Sequence, residues 1–119
     1  WQQVAHTVAV LNFFILENDD DTFVPAPAEL GVLMLKEQGQ QVVSKEAMKA
    51  YGAAVKAAVD ARVARLTDAD LTRIQERVSK KIGRELTYGA IMVMLASHTT
   101  YHLGSCDAAL RDHGLPGVF

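Results

Sequence analysis

Apolar residues recur along most of the chain at three- and four-residue steps, the period of an α-helix rather than of a strand. In the first segment, from Trp1 to about Glu17, Val4, Val8, Leu11 and Ile15 trace one helical face, and the run "ENDDD" followed by "TFVPAPAE" ends it. The acids Asp19 to Asp21 lack the regular oxygen spacing of a calcium loop and read as a solvated turn. After Pro27, "AELGVLMLKEQ" predicts a short helix closing near Gly39. The clearest helix begins at Ser44, whose hydroxyl can accept from a free amide of the first turn, with Val43 and Met48 placed as a hydrophobic staple. Its buried face should comprise Met48, Tyr51, Val55, Ala58 and Val59, turning polar at Arg62.

The stretch "TDADLTRIQERVSKKIG" is polar, is interrupted by Gly83, and predicts a short helix of its own. A last long helix should run from about Glu85 to His113, stopped by Gly114 in a left-handed cap and by Pro116. Three substantial helices, one or two short ones and no convincing strand predict an all-α bundle. No internal repeat is present, and 119 residues suit one domain, here taken as residues 1–119. The sequence opens on Trp1 inside a helical pattern, which leads us to expect an N-terminally incomplete chain.

Charge narrows the partners. Lys and Arg number 12 against 14 Asp and Glu, a net charge of −2, and no basic stripe is present. Neither nucleic acid nor an anionic membrane surface is expected as a partner. Apolar runs such as "VAVLNFFIL" are about half the length needed to cross a bilayer. The single cysteine, Cys106, cannot form a disulfide within the chain, so a cytoplasmic location is expected.

The candidate chemistry lies in "ASHTTYHLG", where His98 and His102 stand four positions apart in an otherwise apolar helix. With His98 at zero on a helical wheel, His102 falls near 40°, Ile91 and Ala109 near about 20° and Leu95 near about 60°. Asp107 and Arg111 fall well away from that face. In the first helix His6 has Gln2 and Val10 within about 40° and Phe13 within about 20°, and so also points inward. Two imidazoles at i and i+4 and a third from another helix could give three nitrogens to one ion and leave positions open, as in a catalytic centre. They could equally be core histidines bonded to carbonyls. Spacing does not decide between the two.

Neighbouring groups offer no clear general base. Glu17 is about three turns from His6, roughly 16 Å along the axis. Tyr101 reads as packing, Cys106 as an inert buried thiol with no cation beside it, and His113 as a partner for the helix C-terminus.

The tail "HTTYHLGSCDAALRDHGLPG" resembles the C-terminal signature of the DinB family of metal-binding helical bundles. The matching features are the pair His98 and His102, Gly104 two residues on, the Leu110–Arg111 pair, and Gly114, Leu115 and Pro116. The opening "WQQVAHTVAVLNFFIL" is similar to the family's first ligand helix, in which a large residue precedes a histidine by several positions. The resemblance implies a four-helix bundle holding a divalent ion (zinc, nickel or iron) on His6, His98 and His102. It implies a metal-dependent transferase joining a bacillithiol- or mycothiol-type small-molecule thiol to an electrophile. A non-catalytic metal-binding homodimer and a metal-dependent hydrolase are the alternatives, and a haem-binding bundle is a more distant one.

Two departures from the family accompany the resemblance. Ser105 stands where many relatives carry Gln, and the long helix that usually precedes the first ligand helix is not represented ahead of His6. A longer natural chain, or a second chain, is expected to cover the apolar faces this would leave.

Overall fold

A computed structural model describes residues 1–15 and 23–118. Glu17 and the Asp19–Asp21 run lie outside the described residues. Among the described residues six helices follow one another: α1 (Gln2–Ile15), α2 (Leu30–Leu33), α3 (Lys45–Val63), α4 (Asp68–Thr72), α5 (Glu76–Ile82) and α6 (Tyr88–Asp112). The architecture is all-α, as the periodicity requires. Among the described residues the only β pairing is one antiparallel bridge between Ile74 and Thr87.

Helix α1 is the central element, packed against α3, α6 and α2. It runs antiparallel to α6: Val10 shares a buried cluster with Ile91 and Leu95, while Gln3, two turns earlier, reaches His102, two turns later. That cluster also takes in Val78 of α5 and Leu86, with Leu11 and Phe14 packed beside it. A second cluster, Ala5, Ala9 and Leu33, lies on another face of α1 and is covered by Trp1, Ala28, Met34 and Met48. Small residues at positions 5 and 9 let the α2 segment lie close against α1. The histidines of α1 and α6 sit at the end of the helix pair remote from Val10.

Local chemistry explains the helix limits. Ser44 caps α3 by accepting from the Ala47 amide, and every residue of the expected α3 face, from Met48 to Arg62, is buried or half-buried. Helix α6 starts at its Thr87 cap rather than at Glu85. Leu86 is held out of the helix because its backbone pairs with Gln75 and with the Ser79 hydroxyl. The polar stretch folds as two short helices, not one: a capping box between Thr67 and Asp70 starts α4, and the bridge at Ile74 separates it from α5. Gly89 is required where α4 meets α6, since a Cβ there would sit 3.1 Å from the Leu71 carbonyl oxygen. Gly114 takes the left-handed conformation with φ 70°, as the sequence predicts.

Helix α2 departs most from expectation. Only Leu30–Leu33 is helical, where a helix closing near Gly39 was expected. Leu35 adopts φ 57°, and the amides of Lys36 and Glu37 turn back to the Gly31 carbonyl. The chain is thereby brought under α1, where the Gln2 side-chain amide donates to the Glu37 carbonyl at 3.0 Å. The apolar stripe of α6 also ends earlier than the wheel suggests. Beyond His102 its side chains are half-buried or exposed, Ala109 among the exposed.

Gln75 is 1% exposed, and its side-chain oxygen accepts from the Val78 amide at 2.7 Å while its backbone N–H donates to the Leu86 carbonyl. Gln75→Ala should strand a buried donor and cost about 1–3 kcal/mol. A denaturant titration checks this, and an unchanged midpoint would contradict the role given to the cap.

Candidate metal centre

Helices α1 and α6 bring together the three histidines singled out from the sequence. The Nε2 atoms of His6 and His98 are 3.2 Å apart, and those of His98 and His102 are 3.1 Å apart. Ring centroids lie between 4.4 and 5.1 Å from one another, with the planes steeply inclined. His6 and His98 are half-buried and His102 is 7% exposed. Among the described residues these three form a group able to offer ligand atoms to one ion, and no cysteine or carboxylate belongs to it.

The far nitrogens establish which atoms face the centre. His6 Nδ1 lies 2.7 Å from the Leu33 carbonyl oxygen, which can only accept, so Nδ1 carries the proton and Nε2 is a bare lone pair. His102 Nδ1 contacts the Gln3 side chain through Oε1, with the same consequence for its Nε2. Two lone pairs therefore face His98 Nε2, which has at most one proton to offer both. A cation would satisfy all three. Nitrogens each held about 2.0–2.1 Å from one ion stand about 2.9 Å apart at a right angle and about 3.4 Å apart at the tetrahedral angle. The observed separations of 3.1 and 3.2 Å fall within that interval. The donor set thus fits a divalent metal, and all three donors are neutral.

His98 is held differently from its neighbours. Its Nδ1 is buried without a hydrogen-bond partner, so the ring is oriented by packing and by the contacts of its Nε2 with His6 and His102. Burial pushes its pKa below the usual imidazole value, and the nearby His102 and His6 add to the shift. His102 moves the same way, through burial and then His6.

Other candidates fall elsewhere. Tyr101 is 71% exposed, so it is not core packing, and its ring meets His102 edge-on at 5.2 Å. Cys106 is half-buried and outside the histidine group. His113 donates from Nδ1 to the Ala109 carbonyl at 2.9 Å and closes the end of α6. Arg111 pairs with Asp107 at 2.8 Å, and the Asp107 carboxylate also accepts from the Val118 amide, which ties down the tail. Ser105 donates to the Tyr101 carbonyl and does not reach the histidines. The supporting group comes from α1 instead, as Gln3. On the wheel Gln2 is nearer to His6, and Gln3 was not singled out; its position one turn before His6 is the signal that was there to be read.

A model of the DinB superfamily matches residues 1–106, a span that includes all three histidines. The chain belongs to the DinB superfamily. No curated protein and no solved structure matches it. Proteins of the DinB superfamily generally bind metal, in keeping with the histidine cluster of this chain. None of the described helices is long and apolar enough to cross a membrane.

The lowered pKa values carry a sign for the metal-free protein. The unfolded chain, with imidazoles near 6.5, takes up protons before the folded one does. The stability contributed by neutral His98 and His102 is therefore present above that value and lost as pH falls through the depressed folded values. Thermal melts of metal-free protein between about pH 7 and pH 5 should show a falling midpoint, with a shallower fall in His98→Gln. Equal slopes in the two proteins would contradict the assignment.

Proposed function

We propose that this DinB-superfamily protein holds one divalent ion on His6, His98 and His102 and uses it to activate a small-molecule thiol for transfer to an electrophile. The observation that carries the reading is the convergence of three Nε2 atoms, two of them fixed as lone pairs by the Leu33 carbonyl and Gln3. An all-imidazole set suits zinc, nickel or iron, and three side chains leave coordination positions open. When bound, a dipositive ion among neutral ligands supplies a Lewis acid strong enough to bring the pKa of a thiol or water towards neutrality.

The chain's own residues have narrower tasks. Leu33 and Gln3 keep Nδ1 of His6 and His102 protonated, so that both rings present the same nitrogen at all times. The rings of His6 and His98 are half-buried rather than sealed in the core. Tyr101, exposed beside His102, stands where it can meet a bound substrate. The thiol sulfur, as thiolate, forms the new bond to carbon while the leaving group departs with its electron pair and the thiol proton passes to solvent. Thiol transfer needs no carboxylate base in the cluster, and among the described residues none belongs to it.

Elemental analysis of the purified protein should find about one divalent ion per chain, and His98→Ala or His6→Ala should remove it. Gln3→Ala should keep the fold and weaken metal affinity about 10- to 100-fold. With bacillithiol or mycothiol and an aryl chloride, the metal-loaded protein should accelerate conjugate formation and His98→Ala should not. Metal-loaded protein that is inert across a panel of thiols and electrophiles would overturn the transferase reading while leaving the metal centre intact.

A further inference from the structure

A cavity of about 900 Å³ lies between α1, the segment leading into α2, α3 and α5, within the size range of small-molecule sites. None of the three histidines lines it. Its walls are apolar and aromatic: Phe13, Phe23, Leu33, Met34 and the ring of Tyr51. Among the described residues its charged side chains are all cations. Arg77, Lys80 and Lys81 line it, and among the described residues no carboxylate does.

The three cations differ in their commitments. Arg77 is engaged by the protein itself, donating to the Phe13 carbonyl at 2.9 Å and lying over the rings of Phe13 and Phe23 at 4.3 and 5.0 Å. Lys80 and Lys81 are exposed at the last turn of α5 and form no ion pair among the described residues.

A buried polar group adds a second signal. Tyr51 is 4% exposed, and its hydroxyl oxygen receives a bond from the Asn12 amide at 3.5 Å. That same amide also donates to the Val24 carbonyl at 3.0 Å, so both of its hydrogens are used. The Tyr51 proton has no acceptor among the described residues, and a buried donor left so is costly. Burial raises the Tyr51 pKa, with the Asn12 bond opposing, so the group stays a protonated donor at neutral pH.

We infer that this cavity binds a small amphipathic anion: an aromatic body carrying a carboxylate. The ring lies among Phe13, Phe23, Leu33 and Met34. The carboxylate takes the charge of Lys80 and Lys81, and the Tyr51 hydroxyl supplies a donor to the bound molecule. This site is separate from the histidine centre and does not require an ion there.

The test compares 3-phenylpropionate with its neutral counterpart 3-phenylpropan-1-ol, by calorimetry and by amide shift mapping on the isotope-labelled protein. The acid should bind at least about tenfold more tightly than the alcohol. The paired substitution Lys80→Gln with Lys81→Gln, at exposed positions that leave the fold intact by circular dichroism, should reduce that preference to about threefold or less. Shift changes should concentrate at Phe13, Phe23, Leu33 and Tyr51. Equal binding of acid and alcohol, no binding of either, or full preference in the paired variant would overturn the inference. So would shifts centred on His6, His98 and His102, which would place the acid on the histidine centre. Loss of metal binding in His98→Ala bears only on the proposed function and leaves this result unaffected.

Discussion

The candidate site depends on the bond between the imidazole of His6 and the carbonyl oxygen of Leu33. A carbonyl can only accept, so this contact determines which ring nitrogen carries the proton and which is free to face the other two histidines. Gln3 does the same for His102. Without these contacts each ring could flip or change tautomer, and three imidazoles in close proximity would be an electrostatic problem rather than a ligand set. Second-sphere bonds of this kind are a general device for orienting metal-binding histidines. Here one comes from the last residue of α2 and the other from the same helix as His6.

The fold explains how residues so far apart in sequence come to share this point. Helix α1 buries Val10 against Ile91 and Leu95 in one direction and Ala5 and Ala9 against Leu33 in another. The first contact sets the register of α1 against α6, so that His6 falls level with His98 and Gln3 level with His102. The second brings the Leu33 carbonyl to His6. A small residue at positions 5 and 9 is therefore as much a requirement of the site as the histidines are, since a larger one would push Leu33 away.

Much of this was legible in the sequence. The i, i+4 pair and the wheel position of His6 indicated that three rings pointed inward, and the Ser44 and Gly114 signals gave helix limits that the structure reproduces. What was not legible depended on backbone geometry that side-chain periodicity does not encode. Helix α2 is cut short at Leu33 by a left-handed Leu35, a conformation no sequence rule assigns to leucine. Leu86 is apolar and reads as helix, yet Gln75 and Ser79 hold its backbone outside. The contact between Gln3 and His102 joins positions 99 residues apart and could be found only once the two helices were placed side by side.

Leu33 belongs to two environments at once: its carbonyl steadies His6, while the residue also forms part of the wall of the neighbouring cavity. One residue therefore borders both. Thermodynamic linkage then requires that any influence a guest in the cavity has on ion affinity be matched, in equal measure, by the ion's influence on the guest.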